Sequence, residues 1–278
     1  MNTRELQNRI DAIRATGKTT RAMEMIASSK LEGSMRRSVV STRYLETMHD
    51  AVSRLFAAKP FSHPFLSGHA GGEDALIVIS ADKGLCGDYN HAILSHADRF
   101  LAQHPSVDRI LAVGYTAVEH FGQSGYKMNN YYAHLQEPHA YDAIMLADDL
   151  LKQYLEHQYH TVYLAFTKML RPGIYETTVE KLLPIAVSPA PEPSALSMEP
   201  CGGEELTGLL SQTVMAQIYS ALADSDYAMQ YDRMLAMRKS TENGEEMVRR
   251  LTLQYHRMRK ERITAELQTL AHGEQKSR

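Results

Sequence analysis

Between Asn2 and Leu55 the apolar residues keep step with an α-helix. Leu6, Ile10, Ile13, Met23, Ile26, Ala27, Leu31, Met35, Val39, Leu45, Met48, Val52 and Leu55 are mostly three, four or a multiple of these apart, which draws one narrow stripe rather than a broad core face. Gly17 and Gly33 are the only glycines in this stretch, and no proline appears before Pro60. The same pattern returns between Glu204 and Ala271, in Leu210, Val214, Ile218, Leu222, Met229, Met247, Leu251, Tyr255, Met258, Ile263, Leu267 and Leu270. At about 1.5 Å per residue, helices of these lengths extend roughly 80 and 100 Å. A domain formed by the roughly 130 residues between them is only some 35–40 Å across. Two narrow-striped helices bracketing such a domain are expected to project beyond it and zip together as an antiparallel coiled coil.

Between the helices the period changes. DALIVISAD (Asp74–Asp82), RILAVGY (Arg109–Tyr115), KMNNYYAHL (Lys127–Leu135) and TVYLAFTKML (Thr161–Leu170) are rich in β-branched and aromatic residues and read as strands. Amphipathic stretches at Asn90–Gln103, Thr116–Gln123 and Ala140–Gln158 separate them. Alternation of strand and helix implies a mostly parallel sheet covered by helices. The expected organisation is an N-terminal coiled-coil helix (1–58), an α/β domain (74–187), a proline-rich linker (188–203) and a C-terminal coiled-coil helix with a polar tail (204–278).

Composition narrows the class. A net charge of −3 and 44% hydrophobic residues are an ordinary soluble balance, and no apolar run approaches the ~18–20 residues of a membrane span. The opening MNTRELQNRI resembles neither a secretory signal nor an organellar transit peptide. Cys86 and Cys201 are far apart and have no CxxC partner, so neither a disulfide framework nor a zinc site is suggested.

Candidate chemistry is sparse. GKTT (Gly17–Thr20) looks like the end of a phosphate-binding loop, but that loop needs a glycine five residues earlier and a preceding strand. Ala12 stands in that place, inside a helical pattern. ADKGLCGDYN (Ala81–Asn90) follows a strand and precedes a helix, where phosphate sites commonly form. Its Gly84 and Gly87 lack the dinucleotide spacing, and Asp82 and Asp88 would repel a phosphate. Cys86 is a conceivable nucleophile there, although free cysteines more often act as small buried residues. His157 with His160, and His134 with His139, match no metal-ligand pattern. Glu204-Glu205 and Glu245-Glu246 are adjacent on a helix, so their carboxylates point about 100° apart and cannot face each other as an acid/base pair. No cofactor or metal is expected. The basic residues Arg4, Arg9, Arg14, Lys18, Arg21 and Lys30 on the first helix, and Arg249, Arg250, Arg257, Arg259, Lys260 and Arg262 on the last, fall toward one end of an antiparallel pair. Without interleaved aromatics they suit an acidic protein surface at least as well as nucleic acid.

Four segments in register resemble a known family. RAMEMIASSK (Arg21–Lys30), DKGLCGDYN (Asp82–Asn90), TVEKLLPI (Thr178–Ile185) and the run from Gln217 to Leu267 are similar to the γ subunit, the central stalk, of rotary F-type ATP synthases. The resemblance implies a bent antiparallel coiled coil inside a hexamer of alternating α and β subunits (α3β3). It also implies a Rossmann-like middle domain against an ε subunit and the membrane c-ring, and no catalytic residues. A peripheral place on the cytoplasmic face of the bacterial inner membrane follows, with no nucleic-acid partner. By matching position Arg21, Met23, Arg259, Lys260, Thr264 and Glu266 are subunit-contact residues. The family usually carries Gln at Lys260, Asn at His256, a hydrophobic residue at Thr19 and a small apolar C-terminus where this chain ends His272–Arg278. The rival readings are a γ-like adaptor of another oligomer and a free nucleotide-binding enzyme. The coupling ion is chosen by the membrane ring and is not legible here.

Overall fold

The structure, a computed structural model, describes residues 3–58, 61–68, 71–130, 137–187 and 203–275. Eleven elements follow one another: α1 (Thr3–Ala58), α2 (Pro64–Ser67), β1 (Glu73–Ile79), α3 (Tyr89–Gln103), β2 (Val107–Val113), α4 (Tyr115–Phe121), β3 (Lys127–Asn130), α5 (Ala140–Leu155), β4 (Tyr159–Arg171), β5 (Ile174–Leu183) and α6 (Gly203–Gln275). The chain divides into two compact units, one made of residues 1–27 and 233–278, the other of residues 28–232.

The larger unit is built on one sheet of order β3-β2-β1-β4-β5, parallel except for β5. Alternation along β1 sorts its side chains onto two faces. Ala75, Ile77 and Ile79 join Leu111, Val162 and Leu164 in a core closed by Leu146 and Leu150 of α5, Val52 of α1, Phe65 of α2 and Val214 and Ile218 of α6. Leu76 and Val78 face the other way, onto Ile93, Leu94 and Ala97 of α3 and Phe121 of α4. Helices thus cover both faces, as a parallel sheet requires.

The strand expected over Asp74–Asp82 is β1, and that over Arg109–Tyr115 is β2. The one expected over Lys127–Leu135 is a strand only at Lys127–Asn130, residues 131–136 lying outside the described residues. β4 starts at Tyr159, two residues before the expectation. β5 was not anticipated. It pairs antiparallel with β4 across a tight turn at Pro172-Gly173, where Gly173 has φ +79°, a conformation glycine reaches without steric cost. Residues 188–202 of the linker expected at 188–203, and His134, fall outside the described residues, while Gly203 opens α6.

Both long helices are present, and their seams share many residues with the apolar stripe but depart from it at several positions. On α1 the covered positions are Leu6, Ile10, Ile13, Gly17, Thr20, Glu24, Ala27, Leu31, Ser34, Ser38, Ser41, Leu45, Met48 and Val52, in alternating steps of four and three. That is a heptad seam. Ile26 and Val39, counted with the stripe, are exposed. In the smaller unit α6 does the same through Met234, Met237, Thr241, Gly244, Val248, Leu251, Tyr255 and Met258, while Met247 and Ile263 face outward. The helices run antiparallel. Within the smaller unit Thr20 meets Thr241 and Glu24 meets Arg238; within the larger one Ser34 meets Asp226, Ser38 meets Asp224 and Thr42 meets Ser220. Between residues 216 and 230 the narrow stripe gives way altogether, and nearly every position of α6 is buried, including Asp224, Ser225, Asp226 and Gln230.

Candidate functional site

Two places carry the functional question: the crevice where an α/β sheet usually takes its ligand, and the helix pair. In an open parallel sheet ligands bind beyond the strand C-termini, where the strand order reverses. Here that place lies between β1 and β4, under the ADKGLCGDYN turn. Asn90 stitches the turn together, its Oδ1 accepting the Ala81 amide at 3.0 Å and its Nδ2 reaching the Thr116 hydroxyl at 3.4 Å. Thr116 in turn donates to the Ala81 carbonyl at 2.7 Å. Cys86 is 2% exposed and packs with Ala81, Tyr89 and Ala228, so the conceivable nucleophile is a core residue. Burial pushes the Tyr89 phenol well above its ordinary range.

The crevice is filled by α6. Ala228 and Met229 lie on Ala81 and Tyr89. Among the described residues a hollow of about 20 Å³ lies beside Ser80, Tyr89, Ser225 and Asp226, whereas small-molecule sites measure about 300–1,000 Å³. The hollow is the size of one water. His157 and His160 lie at the β4 entry, His157 in a turn at φ +59°. His139 precedes α5 and its amide donates to Asp142 at 2.7 Å.

The seam that fills the crevice is polar. β1 ends its pairing with β4 at Val78–Ala165, so β4 overhangs it with an open edge. The amides of Thr167 and Met169 on that edge donate to Ser225 Oγ (3.2 Å) and Asp224 Oδ2 (3.1 Å), and the Gly173 amide donates to the Tyr227 hydroxyl at 2.7 Å. Side chains of α6 thus stand where another strand would, satisfying donors that would otherwise be buried unpaired. From the other side Ser38 donates to Asp224 at 2.5 Å, while Ser34 (2.7 Å) and Arg37 (2.8 Å) donate to Asp226. Tyr175 donates to Asp232.

Burial is the main influence on Asp224 and pushes its carboxyl up to about 6; the Ser38 hydroxyl, the Met169 amide and Lys168 pull it back, and Glu180 adds to the rise. The folded chain therefore holds this proton more tightly than the unfolded chain, where the group titrates near 3.8. Ionised Asp224 costs the fold about 3 kcal/mol, an order-of-magnitude figure, above pH 6, and the cost fades as pH falls from 6 toward 4. Asp224→Asn is accordingly expected to raise the urea midpoint at pH 7.5 and to leave it unchanged at pH 4, where wild type carries the proton.

In the smaller unit, GKTT belongs to the seam. Thr20 and Thr241 are buried with hydroxyls 2.7 Å apart, while Lys18 and Thr19 are exposed. Gly17 on α1 and Gly244 on α6 each withhold a side chain from the seam. The gaps merge into a groove of about 410 Å³ lined by Ile13 and Val248 and by the charged Arg14, Lys18, Arg21, Arg249 and Glu245.

The residues singled out by resemblance form two groups rather than one site. Arg21 is exposed and pairs with Glu245 at 3.2 Å, and Met23, two residues on, is half-buried. Arg259, Lys260 and Thr264 are exposed on α6, Thr264 donating to the Lys260 carbonyl at 2.9 Å. Fourteen residues, about 21 Å of helix, separate Glu245 from Arg259. Glu266 lies in α6, its side chain outside the described residues. The expected basic rod is partly neutralised: Arg14 pairs with Asp11, Arg250 with Glu246 and Arg257 with Glu261. Lys30 is engaged by Glu137 in the larger unit. Sequence reasoning missed Ser34, Ser38, Asp224 and Asp226 because carboxylates and hydroxyls do not register in an apolar count. Their helical spacing against each other was the only available signal.

Comparison with known proteins agrees with this architecture. A family profile described as ATP synthase matches residues 2–275. The chain is 31% identical to the ATP synthase gamma chain of Cupriavidus necator, over 98% of both chains. It is 29% identical to that of Pelotomaculum thermopropionicum, over 97% of both. Among solved structures, a chain of the Euglena gracilis mitochondrial ATP synthase matches with a TM-score of 0.65 at 14% identity, covering 96% of this chain and 92% of that one. A chain of the Tetrahymena thermophila mitochondrial ATP synthase central stalk and c-ring matches at 0.60 and 20%, covering 80% and 98%. At these identities the structural matches speak for the fold.

Proposed function

The chain belongs to the ATP synthase family, among its gamma chains, and on that premise we propose that it is the central-stalk shaft of an F-type ATP synthase. It turns inside an α3β3 hexamer and joins ion-driven rotation of a membrane c-ring to the conformational cycle of the catalytic β subunits. The observation that carries this reading is the antiparallel helix pair of the smaller unit, whose side chains meet along one heptad seam and leave the outward faces to other subunits. Those faces are not alike. Met25, Ile26, Leu253 and Leu267 expose apolar surface, and the groove at Gly17 and Gly244 is lined by Arg14, Lys18, Arg249 and the Arg21–Glu245 ion pair. A shaft whose contacts differ around its axis biases each surrounding site differently at each angle. Only such differential contact free energies shift a conformational equilibrium.

The chain itself is the non-catalytic member of that complex. The filled crevice under the ADKGLCGDYN turn supports this, since it leaves no room for a nucleotide. An ε subunit and the c-ring are the further partners, and the place is the cytoplasmic face of a bacterial inner membrane, held peripherally. Among the described residues no helix is long and apolar enough to cross a membrane.

Arg21, Met23, Arg259, Lys260, Thr264 and Glu266 supply contacts that break and reform on each turn. Reversing the charges of Arg259 and Glu266 together is expected to lower rotation-coupled turnover in the reconstituted complex by several-fold. Unchanged coupled activity would remove these two residues from the contact set. The reading as a whole is tested by mixing the chain with its cognate α and β subunits. Assembly of one copy with three of each, with ATPase activity, is the expected result. Failure to assemble would favour an adaptor of another oligomer, and turnover by the chain alone would favour an enzyme.

A further inference from the structure

Apolar contacts hold α6 against the sheet and α1, but they are nearly indifferent to which turn of the helix supplies them. The stretch that is buried all round makes this acute. A shift by one turn would set Ala216 in the place of Ser220 and Ala221 in that of Ser225, so at these two positions side-chain size does not fix the register. Hydrogen bonds are not indifferent, because they fail beyond about 3.5 Å or when misaligned. One short segment carries them in both directions: Asp224 binds Ser38 of α1 and the Met169 amide of β4, Ser225 binds the Thr167 amide, and Asp226 binds Ser34 and Arg37. A one-turn slip that set Ala216 in the place of Ser220 would leave the Thr167 amide facing Ala221 and Arg37 facing Leu222, and would replace the Asp224 carboxylate at Met169 and Ser38 by the shorter Ser220. Buried polar groups are best attested as setters of register, at a cost in stability.

We propose that Asp224, with Ser225 and Asp226 beside it, is a register key that fixes which turn of α6 faces α1 and the overhanging edge of β4. On the reading of the chain as a rotary shaft, the key is also what prevents the C-terminal helix from slipping along its partner under load. Asp224 is in this sense a positioning residue that touches no nucleotide.

The test reads register directly. Thr42 and Ser220 have hydroxyls 3.4 Å apart, so a T42C/S220C pair reports the native register. A T42C/A216C pair, one turn along α6, reports the slipped one. Peptide mapping by mass spectrometry identifies each disulfide apart from Cys86 and Cys201. In the wild-type background and in Asp224→Asn the native pair is expected to close and the slipped pair to stay open. Asparagine keeps an acceptor for the Met169 amide and an amide donor for the Ser38 oxygen. In Asp224→Ala, and in Asp224→Val of nearly the original size, closure of the slipped pair is expected to rise at least about five-fold with helix content retained. The key is overturned if both variants cross-link like wild type, if Asp224→Asn slips as far as they do, or if both variants lose their helices, which would make Asp224 a general folding residue. In the assembled, membrane-reconstituted complex, Asp224→Ala is expected to hydrolyse ATP within about two-fold of wild type while pumping several-fold fewer ions per ATP, and Asp224→Asn to pump normally. Full pumping by a slipping variant would remove the role under load. A wild-type complex that fails to pump would count against the rotary reading, while the cross-links still decide the key.

Discussion

Replacing Gly114 by alanine is expected to cost this chain most of its folding free energy. Gly114 follows β2 with φ +88°, a region that residues with a Cβ rarely enter. A Cβ built there would stand 2.2 Å from the Ser80 carbonyl oxygen and 2.8 Å from Ser80 Oγ. Neither neighbour can yield cheaply. The Ser80 amide donates to the Val113 carbonyl at 2.8 Å, and Ser80 Oγ accepts the Ala117 amide, also at 2.8 Å, which seats the first turn of α4. Relief of the clash requires the ends of β1 and β2 to part, and with them the Thr116–Ala81 stitch beneath the filled crevice. Strain at a positive φ contributes about 1–3 kcal/mol, and the broken contacts take the total beyond the ~4 kcal/mol that marks exceptional substitutions. Against the ~5–15 kcal/mol of a typical domain, Gly114→Ala is expected to accumulate as insoluble chain or to unfold at a much lower urea concentration. Gly84→Ala is the control. No atom lies within 4 Å of the Cβ it would add, and it is expected to unfold within about 0.5 kcal/mol of wild type.

How much of this was legible in the sequence depends on whether the physics at a position is apolar. The long helices and β1, β2 and β4 follow from periodicity and β-branched runs, because burial of those side chains is the same wherever the partner lies. The phase of the seam did not follow. Counting apolar residues admits Ile26 and Val39, which are exposed, and omits Ser34, Ser38 and Ser41, which are buried. A serine becomes a seam residue only when a partner supplies its hydrogen bond, and here the partner lies far along the chain. β5 was hidden in a related way. IYETTVEKLL alternates, but its half-buried pattern gives a weak signal until the Pro172-Gly173 turn returns it to β4. The helix of residues 216–230 defeats a stripe analysis altogether, since α1, the hairpin and the ADKGLCGDYN turn bury all its faces. As for Arg21, Arg259, Lys260 and Thr264, proposed above as contact residues, nothing in their periodicity distinguishes them from other exposed helix positions. Family resemblance alone singled them out, and their exposure is consistent with contacts made to another chain.

The last substitution separates stability from register. Arg37 donates to Asp226 at 2.8 Å; the carboxylate side chain is 3% exposed and the guanidinium side chain 28%. Removing the arginine alone leaves a buried carboxylate with Ser34 and Gln230 as its donors among the described residues. Breaking a buried pair from one side costs about 3–5 kcal/mol. The partial exposure of Arg37 lets water replace some of what is lost, so Arg37→Met is expected to destabilise by about 2–3 kcal/mol. Replacing both partners, in Arg37→Met with Asp226→Val, removes the stranded charge together with its cation. Ser34 then falls back on the Lys30 carbonyl, which it already approaches at 3.1 Å. The double variant is expected to lie within about 1 kcal/mol of wild type, giving a coupling free energy of at least about 1 kcal/mol in a double-mutant cycle of urea unfolding. Additive losses would show that the pair acts as two independent surface groups. The register key gives this variant a second expected result. Its stability is restored without the directional contact, so the slipped T42C/A216C disulfide should form more readily than in wild type even though the protein unfolds at nearly the same urea concentration. A double variant that is both stable and strictly in register would place the whole of the key in Asp224 and Ser225.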